Sequence, residues 1–300
     1  MRASPRIVEY ELTTLCNFRC IHCYSRAGNK TANELNFNEI KSLMIELREM
    51  NVGIFDLIGG EPLLHPRILD ILSFGKELGQ TLMVNTNGSL ATEDMVRKVK
   101  KTNPDVLIGV SLDGPDPETN DFIRGRGNFK RAIMGIKNFV KYGFNVTILH
   151  VINKKNWWKL EDMIKLAKSL GVNGMYLDRF VPVGRGKLHI ADLDIEDGKW
   201  SEVVKQILDI VEVYKNEINF YVEESISGGL CPAGITKASI RMDGIVVPCG
   251  HFRYNEELYM GNVRKKGFEQ IWNSYDPSTL DLFLPKDYKG GCKALYLKDL

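Results

Sequence analysis

The sequence of 300 residues lacks several features that would set a chain apart from an ordinary globular protein. It has no apolar run approaching the roughly 20 residues that a membrane-spanning helix needs. Its N-terminus, Met1-Arg2-Ala3-Ser4-Pro5, lacks the apolar core of a secretory signal peptide. It has no internal repeat and no low-complexity segment. These absences predict a cytoplasmic protein with no membrane partner.

An excess of charge of one sign is also lacking. Forty Lys and Arg residues stand against 38 Asp and Glu residues, which gives a formal net charge of +2. This balance indicates no polyanionic partner, so we expect no binding to nucleic acid. There are only six cysteines. In a reducing cytoplasm such thiols tend to be metal ligands or catalysts rather than halves of disulfides.

The chain does contain a regular alternation of strand and helix signals. Apolar side chains recur with helical spacing over 37–47, 129–140 and 160–167, and Asn36 with Glu39 forms a capping pair before the first of these. The alternation predicts the α/β class, with six β/α units in a parallel sheet that curls into a partial, open barrel. Chemistry in such folds gathers at the C-terminal ends of the strands. The predicted strands cover 7–12, 54–58, 81–86, 106–112, 145–152 and 174–180.

The alternation stops near residue 217. A helical segment over 200–214 has ended there, and short strands, turn signals and three further cysteines follow. We therefore predict two domains: a partial (β/α)6 parallel barrel over 1–217 and a small α+β domain over 218–300.

The strongest chemical signal is the run Cys16-x3-Cys20-x2-Cys23 directly after the first predicted strand. Three thiolates on one loop can meet at a single centre, whereas a disulfide uses only two. Soft thiolates select zinc, copper(I) or iron–sulfur clusters. Zinc usually takes four ligands, commonly as two separated pairs. A triplet without a local fourth ligand therefore favours a 4Fe–4S cluster with one open iron, and functionless buried thiols are the alternative.

Polar or glycine residues follow the next three strands as well. Adjacent glycines let the backbone approach a ligand closely, a glutamate can accept hydrogen bonds from an ammonium group, and an arginine can pair with a carboxylate. Taken singly, each element is also typical of a turn or an exposed loop. The candidate cofactor-binding residues at these strand ends are Gly59, Gly60, Glu61, Asn85, Asn87, Ser111, Asp113 and Arg124.

In this order the elements resemble the radical S-adenosylmethionine (radical SAM) superfamily. The cysteine spacing is the signature of that family, with His22 in a slot that usually holds an aromatic ring. The resemblance implies a catalytic 4Fe–4S cluster whose open iron chelates S-adenosylmethionine (SAM) and cleaves it to methionine and a 5′-deoxyadenosyl radical. The radical abstracts a hydrogen atom from a substrate. The resemblance further implies that the Gly59–Pro62 segment holds the methionine amino group, that Ser111 and Asp113 contact the ribose, and that ferredoxin or flavodoxin supplies the electron.

A further arginine follows the sixth predicted strand. Arg179 begins the run Arg-Phe-Val-Pro-Val-Gly-Arg, which ends at Arg185 and is similar to a run in relatives that carry additional clusters. At the barrel mouth Arg179 is expected to act in catalysis by orienting SAM or substrate. The alternative is a structural salt bridge to Asp178 or another carboxylate.

The C-terminal cysteines resemble the SPASM/twitch extension, which binds auxiliary iron–sulfur clusters. Asp243-Gly244 predicts a hairpin turn that brings flanking thiols together. Tyr288 stands where a full extension has a cysteine, and the last cysteines are missing. The resemblance therefore implies one auxiliary 4Fe–4S cluster. A decayed extension and a zinc site are the alternatives. The expected ligands are Cys231, Cys249 and Cys292, with the fourth left open among Ser225, Glu223, Glu224, His251, a substrate atom and water.

Enzymes of this appearance modify a peptide, a protein side chain or a cofactor precursor, usually oxidatively. The barrel begins at residue 7, so we expect no N-terminal peptide-binding domain. This favours a small molecule or cofactor precursor over a peptide presented by a separate protein. The alternative from another class is an iron–sulfur electron-transfer protein without SAM chemistry. The glycine-rich and ribose-contacting elements argue against it.

Overall fold

The computed structural model describes residues 2–286 and 288–297. Strands and helices alternate through most of this part of the chain. The strands are β1 (Ile7–Glu11), β2 (Ile54–Ile58), β3 (Leu82–Thr86), β4 (Leu107–Ser111), β5 (Val146–Ile152), β6 (Gly174–Arg179), β7 (Asn219–Val222), β8 (Lys237–Ile240), β9 (Ile245–Val247) and β10 (Gly261–Asn262). The helices are α1 (Phe37–Glu49), α2 (Ile68–Glu77), α3 (Glu93–Thr102), α4 (Pro117–Arg124), α5 (Asn128–Lys141), α6 (Leu160–Leu170), α7 (Ile190–Leu193), α8 (Asp197–Tyr214), α9 (Glu224–Ser227) and α10 (Phe268–Ser274).

All ten strands belong to one sheet, in the order β10-β9-β8-β1-β2-β3-β4-β5-β6-β7. Strands β1 to β7 run parallel and follow one another in sequence order. Strand β8 pairs in parallel with the other side of β1, and β9 and β10 continue antiparallel from there. The sheet is open, with β7 and β10 as its edges, so the prediction of a mostly parallel, unclosed α/β sheet is confirmed.

The six predicted strands are confirmed with bounds that differ by at most a residue or so, and the three helical segments correspond to α1, α5 and α6. Asn36 and Glu39 form a reciprocal capping box on α1, as predicted. Two features were not predicted. Strand β7 is a seventh parallel strand, and the C-terminal hairpin joins the main sheet beside β1. The domain boundary at residue 217 stays a prediction, and strands on both sides of it lie in one sheet.

The two faces of the sheet differ in polarity. On β1, Val8 and Tyr10 are fully buried in the main hydrophobic core, which also contains apolar residues of the helices. Glu9 lies between them and therefore points to the opposite face. Asp56 is its partner in register on β2, and Asn85 on β3 donates a 2.9 Å hydrogen bond to Asp56. The face away from the core is thus lined with polar groups.

No helix within the described residues is both long enough and apolar enough to cross a membrane.

Candidate metal and cofactor site

The loop that carries the three cysteines begins after β1 and is held by an arginine from the far side of the sheet. The amide of Cys16 donates to the carbonyl of Gly28 at 2.9 Å. The guanidinium of Arg185 donates to the carbonyls of Cys20 at 2.8 Å and Ala27 at 2.7 Å. The amide of Arg185 donates to the carbonyl of Cys23 at 2.9 Å. Arg185 therefore fixes the backbone around two of the three cysteines. The sequence offered one signal for this, the Gly-Arg pair that ends the run after β6.

The glycines after β2 make room for the backbone of the same loop. The amide of Gly60 donates to the carbonyl of Thr13 at 2.6 Å, and the amide of Glu61 donates to that of Leu15 at 2.8 Å. Gly59 has φ +125°, and a Cβ there would lie 2.7 Å from the carbonyl oxygen of Thr13. A side chain at either glycine would push the cysteine loop away. The close approach predicted for a ligand is here an approach to the loop that carries the cysteines.

Glu61 ties the ends of β2 and β3 together. Its carboxylate is fully buried and accepts hydrogen bonds from the hydroxyl of Thr86 at 2.6 Å and from the amides of Asn87 at 2.8 Å and Leu63 at 3.1 Å. Burial raises the pKa of this carboxyl, although the three donors oppose the shift. Asn87 in turn donates to Asn17, inside the cysteine loop, at 2.9 Å. A contact between Glu61 and the methionine amino group stays a prediction.

Asp113 and Arg124 are paired with each other. The guanidinium of Arg124 lies 2.7 Å from Asp113 Oδ2, and His22 Nε2 lies 3.3 Å from the same oxygen. The amide of Val151 donates to Oδ1 at 2.9 Å. Asp113 is fully buried, and Arg124 nearly so. Arg124 thus pairs with a carboxylate of the protein itself, Asp113, and the predicted contacts of Arg124 with SAM and of Asp113 with the ribose stay predictions.

Two further candidate residues are His22, whose protonation is set by burial, and the half-buried Ser111 at the end of β4. Removal from water lowers the pKa of His22 to about 4 despite the nearby Asp113 carboxylate, so the imidazole is neutral near pH 7. Ser111 ends β4, and its Cα partner is Leu149 on β5. Cofactor contacts by His22, Ser111 and Asn85 stay predictions.

The thiols of Cys16 and Cys20 are poor ligands until a metal takes the place of their protons. Burial raises the pKa of Cys16 and that of Cys20, the latter to about 12. The amide of Phe18 donates to Cys16 Sγ at 3.4 Å, which favours the thiolate. Bound iron would stabilise the thiolates far more than the nearby arginines do. Three soft sulfur donors on one braced loop fit an iron–sulfur cluster.

A zinc site gains no support at either group of cysteines. Within 2–286 and 288–297, no three or more His, Cys, Asp or Glu side chains converge tightly enough to hold one metal ion. A cubane cluster is larger than one ion and binds each cysteine through a different iron, so it does not need such tight convergence.

Arg179 lies in a mainly structural environment. Its guanidinium donates to the carbonyl of Ile195 at 3.1 Å, lies 3.8 Å from Asp194 Oδ1 and stacks over the ring of Trp200 at 4.3 Å. These contacts hold the segment between α7 and α8 against the end of β6. They resemble the salt-bridge alternative, with Asp194 in place of Asp178. A catalytic role for Arg179 stays a prediction.

The three C-terminal cysteines line one small cavity. Asp243-Gly244 forms the predicted turn between β8 and β9, with Gly244 at φ +85°. Burial raises the pKa of Cys231 to about 11. Each of the side-chain candidates for the fourth ligand lines the same cavity: Glu223, Glu224, Ser225 and His251.

A half-buried lysine on β8 is a candidate site residue that the sequence did not reveal. Lys237 Nζ lies 2.7 Å from Glu9 and 3.8 Å from Glu223, and the lysine also lines the cavity of the C-terminal cysteines. The hydroxyl of Ser239 donates to Glu9. These groups connect the polar face of the sheet to the second group of cysteines. A lone lysine in a short strand gives no sequence signal for this position.

Comparisons with known proteins agree with this site. The radical SAM superfamily matches residues 10–167, and the iron–sulfur cluster-binding domain called SPASM matches residues 231–293. The AdoMet-dependent heme synthase of Methanosarcina barkeri is 29% identical, over 97% of this chain and 88% of that protein. The mycofactocin maturase MftC of Mycobacterium tuberculosis is 29% identical over 90% of this chain and 71% of its own length.

Solved structures show the same fold. SuiB of Streptococcus suis, crystallised with S-adenosylmethionine, aligns with a TM-score of 0.81 and 19% identity over 99% of this chain and 75% of that one. The family match covers more than half of the chain and includes all three early cysteines. The chain therefore belongs to the radical SAM superfamily, as an enzyme that uses SAM and a 4Fe–4S cluster and binds an auxiliary iron–sulfur cluster in its SPASM region.

Proposed function

We propose that Cys16, Cys20 and Cys23 hold the catalytic cluster and that the enzyme oxidatively modifies a cofactor precursor or another small molecule. The loaded cluster and SAM together supply a 5′-deoxyadenosyl radical. This chain's residues position the cofactor: Arg185 fixes the backbone at the second and third cysteines. Glu61, with Gly59 and Gly60, holds the ends of β2 and β3 against the same loop.

The observation that carries the proposal is the bracing of one three-cysteine loop from β2, β3 and β6. The bracing residues lie in the segments that follow the C-terminal ends of these three strands, on the side where the chemistry of parallel α/β folds is found. Anaerobic reconstitution with iron and sulfide, followed by SAM and dithionite, tests it. We expect 5′-deoxyadenosine and methionine to form. A fully loaded protein that releases neither would favour the electron-transfer alternative.

The auxiliary cluster is proposed to be held by Cys231, Cys249 and Cys292. There it would serve as the acceptor for the one electron that the substrate radical loses when it is oxidised to product. Lys237 pairs with Glu9 on the polar face of the sheet and also lines the cavity of the C-terminal cysteines. A substrate bound on the polar face near Glu9 would therefore lie close to the auxiliary site. Iron analysis distinguishes one cluster from two, with about four against about eight irons per chain. A value of about four, with SAM cleavage intact, would contradict the auxiliary assignment.

A cofactor precursor is the first substrate candidate because the match to a heme synthase extends over nearly the whole of both chains. A peptide is the second candidate. It is favoured by the maturase MftC and by the subtilosin biosynthesis protein AlbA of Bacillus subtilis, 27% identical over 90% of this chain and 60% of AlbA. Haem precursors and precursor peptides encoded near the gene are tested by mass spectrometry. The true substrate should accelerate 5′-deoxyadenosine formation and change mass.

Three further assignments complete the proposal. A ferredoxin or flavodoxin supplies the electron, the enzyme works in the cytoplasm, and the two domains meet near residue 217. Because burial raises the pKa of Cys20 and that of Cys231, these two thiols keep their protons until iron arrives, as suits a reducing compartment. Replacement of dithionite by reduced flavodoxin or ferredoxin tests the electron donor, and failure of both to support 5′-deoxyadenosine formation, where dithionite does, would argue against this assignment.

A further inference from the structure

The auxiliary site has three cysteines and therefore lacks a fourth thiolate. We propose that His251 is the fourth protein ligand of the auxiliary cluster. This inference rests on the proposed function, because it requires that Cys231, Cys249 and Cys292 hold that cluster.

His251 is in direct contact with the thiols. Its Nδ1 lies 3.9 Å from Cys249 Sγ, and the ring also hydrogen-bonds Cys292. Both cysteines, together with Cys231, line the cavity that the imidazole enters. The histidine thus contacts two of the three proposed ligands, which come from segments far apart in the chain.

The other donors that line the cavity are engaged elsewhere. Ser225 donates its hydroxyl to Asp178 at 2.9 Å, and Asp178 also accepts the amide of Arg179 at 2.7 Å. Lys237 forms an ion pair with Glu9 at 2.7 Å, and the ammonium of such a pair has no lone pair for a metal.

The two remaining acids are engaged as well. Glu223 lies 3.8 Å from the ammonium of Lys237. Glu224 shares a hydrogen bond with Glu223. Both are hard oxygen donors, which iron–sulfur clusters use less readily than sulfur or imidazole nitrogen. His251 is the remaining soft donor that lines this cavity.

The fold holds the imidazole in place. His251 lies in a short turn over Gly250–Phe252. The side chain of Phe252 is buried, and its amide donates to the carbonyl of Cys249 at 2.9 Å. The ring of Tyr24 meets the imidazole edge-on, with centroids 5.6 Å apart. A Cβ at Gly250 would lie 3.0 Å from the ring of Tyr24, so a larger residue there would have to push this ring aside by a few tenths of an ångström. Tyr24 directly follows Cys23, so it acts as a positioning residue between the two metal sites.

A histidine ligand has a chemical consequence. A neutral imidazole replaces an anionic thiolate, so the cluster carries one negative charge less. In Rieske centres, replacement of cysteine by histidine raises the reduction potential. His251 would therefore make the auxiliary cluster a better electron acceptor than one held by four cysteines.

The test uses the reconstituted full-length enzyme with 15N-labelled histidine. Electron–nuclear double resonance on the reduced auxiliary cluster should show a strongly coupled nitrogen. The signal should disappear in His251→Cys, which keeps about eight irons per chain and lowers the auxiliary potential. In His251→Phe, which cannot bind iron, the nitrogen coupling should also disappear, and the iron left without a protein ligand should be lost more readily on mild oxidation than in the wild-type enzyme. His189→Gln, at a partly exposed histidine that pairs with Asp192, is the matched control and should change nothing.

Two results would overturn the inference, and they differ in what else they overturn. About eight irons with no strongly coupled nitrogen in the wild-type protein would remove His251 as a ligand and leave the proposed function intact. About four irons, with normal SAM cleavage, would remove the auxiliary cluster itself. The wild-type measurement decides the first case even if the variants fold poorly.

Discussion

The two groups of cysteines differ in how the chain brings them together. Cys16, Cys20 and Cys23 share one loop, and hydrogen bonds from three other strand ends hold that loop. Cys231, Cys249 and Cys292 come from separate segments and meet only because the C-terminal hairpin and the following turns are in place. The first group is local in sequence and supported from a distance, whereas the second group is assembled from a distance.

This difference teaches where each site is vulnerable. A local motif survives small changes elsewhere as long as its loop is braced, because few chain dihedrals need to be fixed to bring its thiols near one another. A site assembled from distant segments depends on every intervening turn. The predictions below test this contrast in order of decreasing effect.

The largest effect is expected for Cys20→Ala. Two remaining thiolates cannot hold the catalytic cluster, so formation of 5′-deoxyadenosine from SAM should fall to the background rate. Product analysis by liquid chromatography under anaerobic conditions measures it. Cys292→Ala is the matched control, since it removes one thiol from the other group and should leave this reaction largely intact. Retained cleavage in Cys20→Ala would remove the assignment of the triplet.

The converse change is Cys249→Ala. It should leave reductive SAM cleavage largely intact and stop formation of the modified product, because the substrate radical loses its electron acceptor. Both readouts come from one reaction mixture by mass spectrometry once the substrate is known. Normal product formation at a normal rate would mean that the second group of cysteines is only structural.

A smaller effect, on stability, is expected for Asp113→Asn. The change leaves the buried Arg124 guanidinium without its carboxylate, and loss of one partner of a buried pair costs about 3–5 kcal/mol. Chemical denaturation of the cluster-free protein measures the change in the free energy of unfolding. Asp116→Asn removes a more exposed pair with Lys159 and should cost less than about 1 kcal/mol. Equal losses in the free energy of unfolding for the two variants would show that the buried Asp113–Arg124 pair stabilises the fold no more than an exposed pair does.

The smallest effect is expected for Arg185→Gln, which removes the two charge-assisted hydrogen bonds to the cysteine loop. Water and the glutamine amide replace part of these bonds, so we expect a net loss of about 1.4 kcal/mol, and a chelator should strip the catalytic iron roughly tenfold faster. Loss of the cluster absorbance with time measures the rate. Arg126→Gln alters an exposed arginine and provides the control. If the two variants lose iron equally fast, the bracing does not matter.

The sequence predicted what depends on local pattern. The six parallel strands, the capping box at Asn36 and the turn at Gly244 follow from periodicity and from residue-specific backbone preferences. The cysteine triplet was visible because its spacing lies within one loop. These elements were placed without any knowledge of their tertiary partners.

The rest depends on tertiary contacts that no local pattern encodes. The pairing of Asp113 with Arg124, the turn of Arg179 toward Trp200 and the clamp by Arg185 appear only when the strand ends meet. The extension of the sheet beyond β1, by strands β8 to β10, was missed for the same reason. Strand β8 is short, and its pairing with β1 joins segments more than two hundred residues apart.

That pairing has a mechanical consequence. Ile7 to Tyr10 are bonded in register to Lys237 to Ile240, so the strand that leads into the first metal loop and the strand that leads toward the second share one rigid ladder. Displacement of one metal centre relative to the other would require this ladder to break. The backbone from which both groups of cysteines extend is therefore set before any substrate arrives.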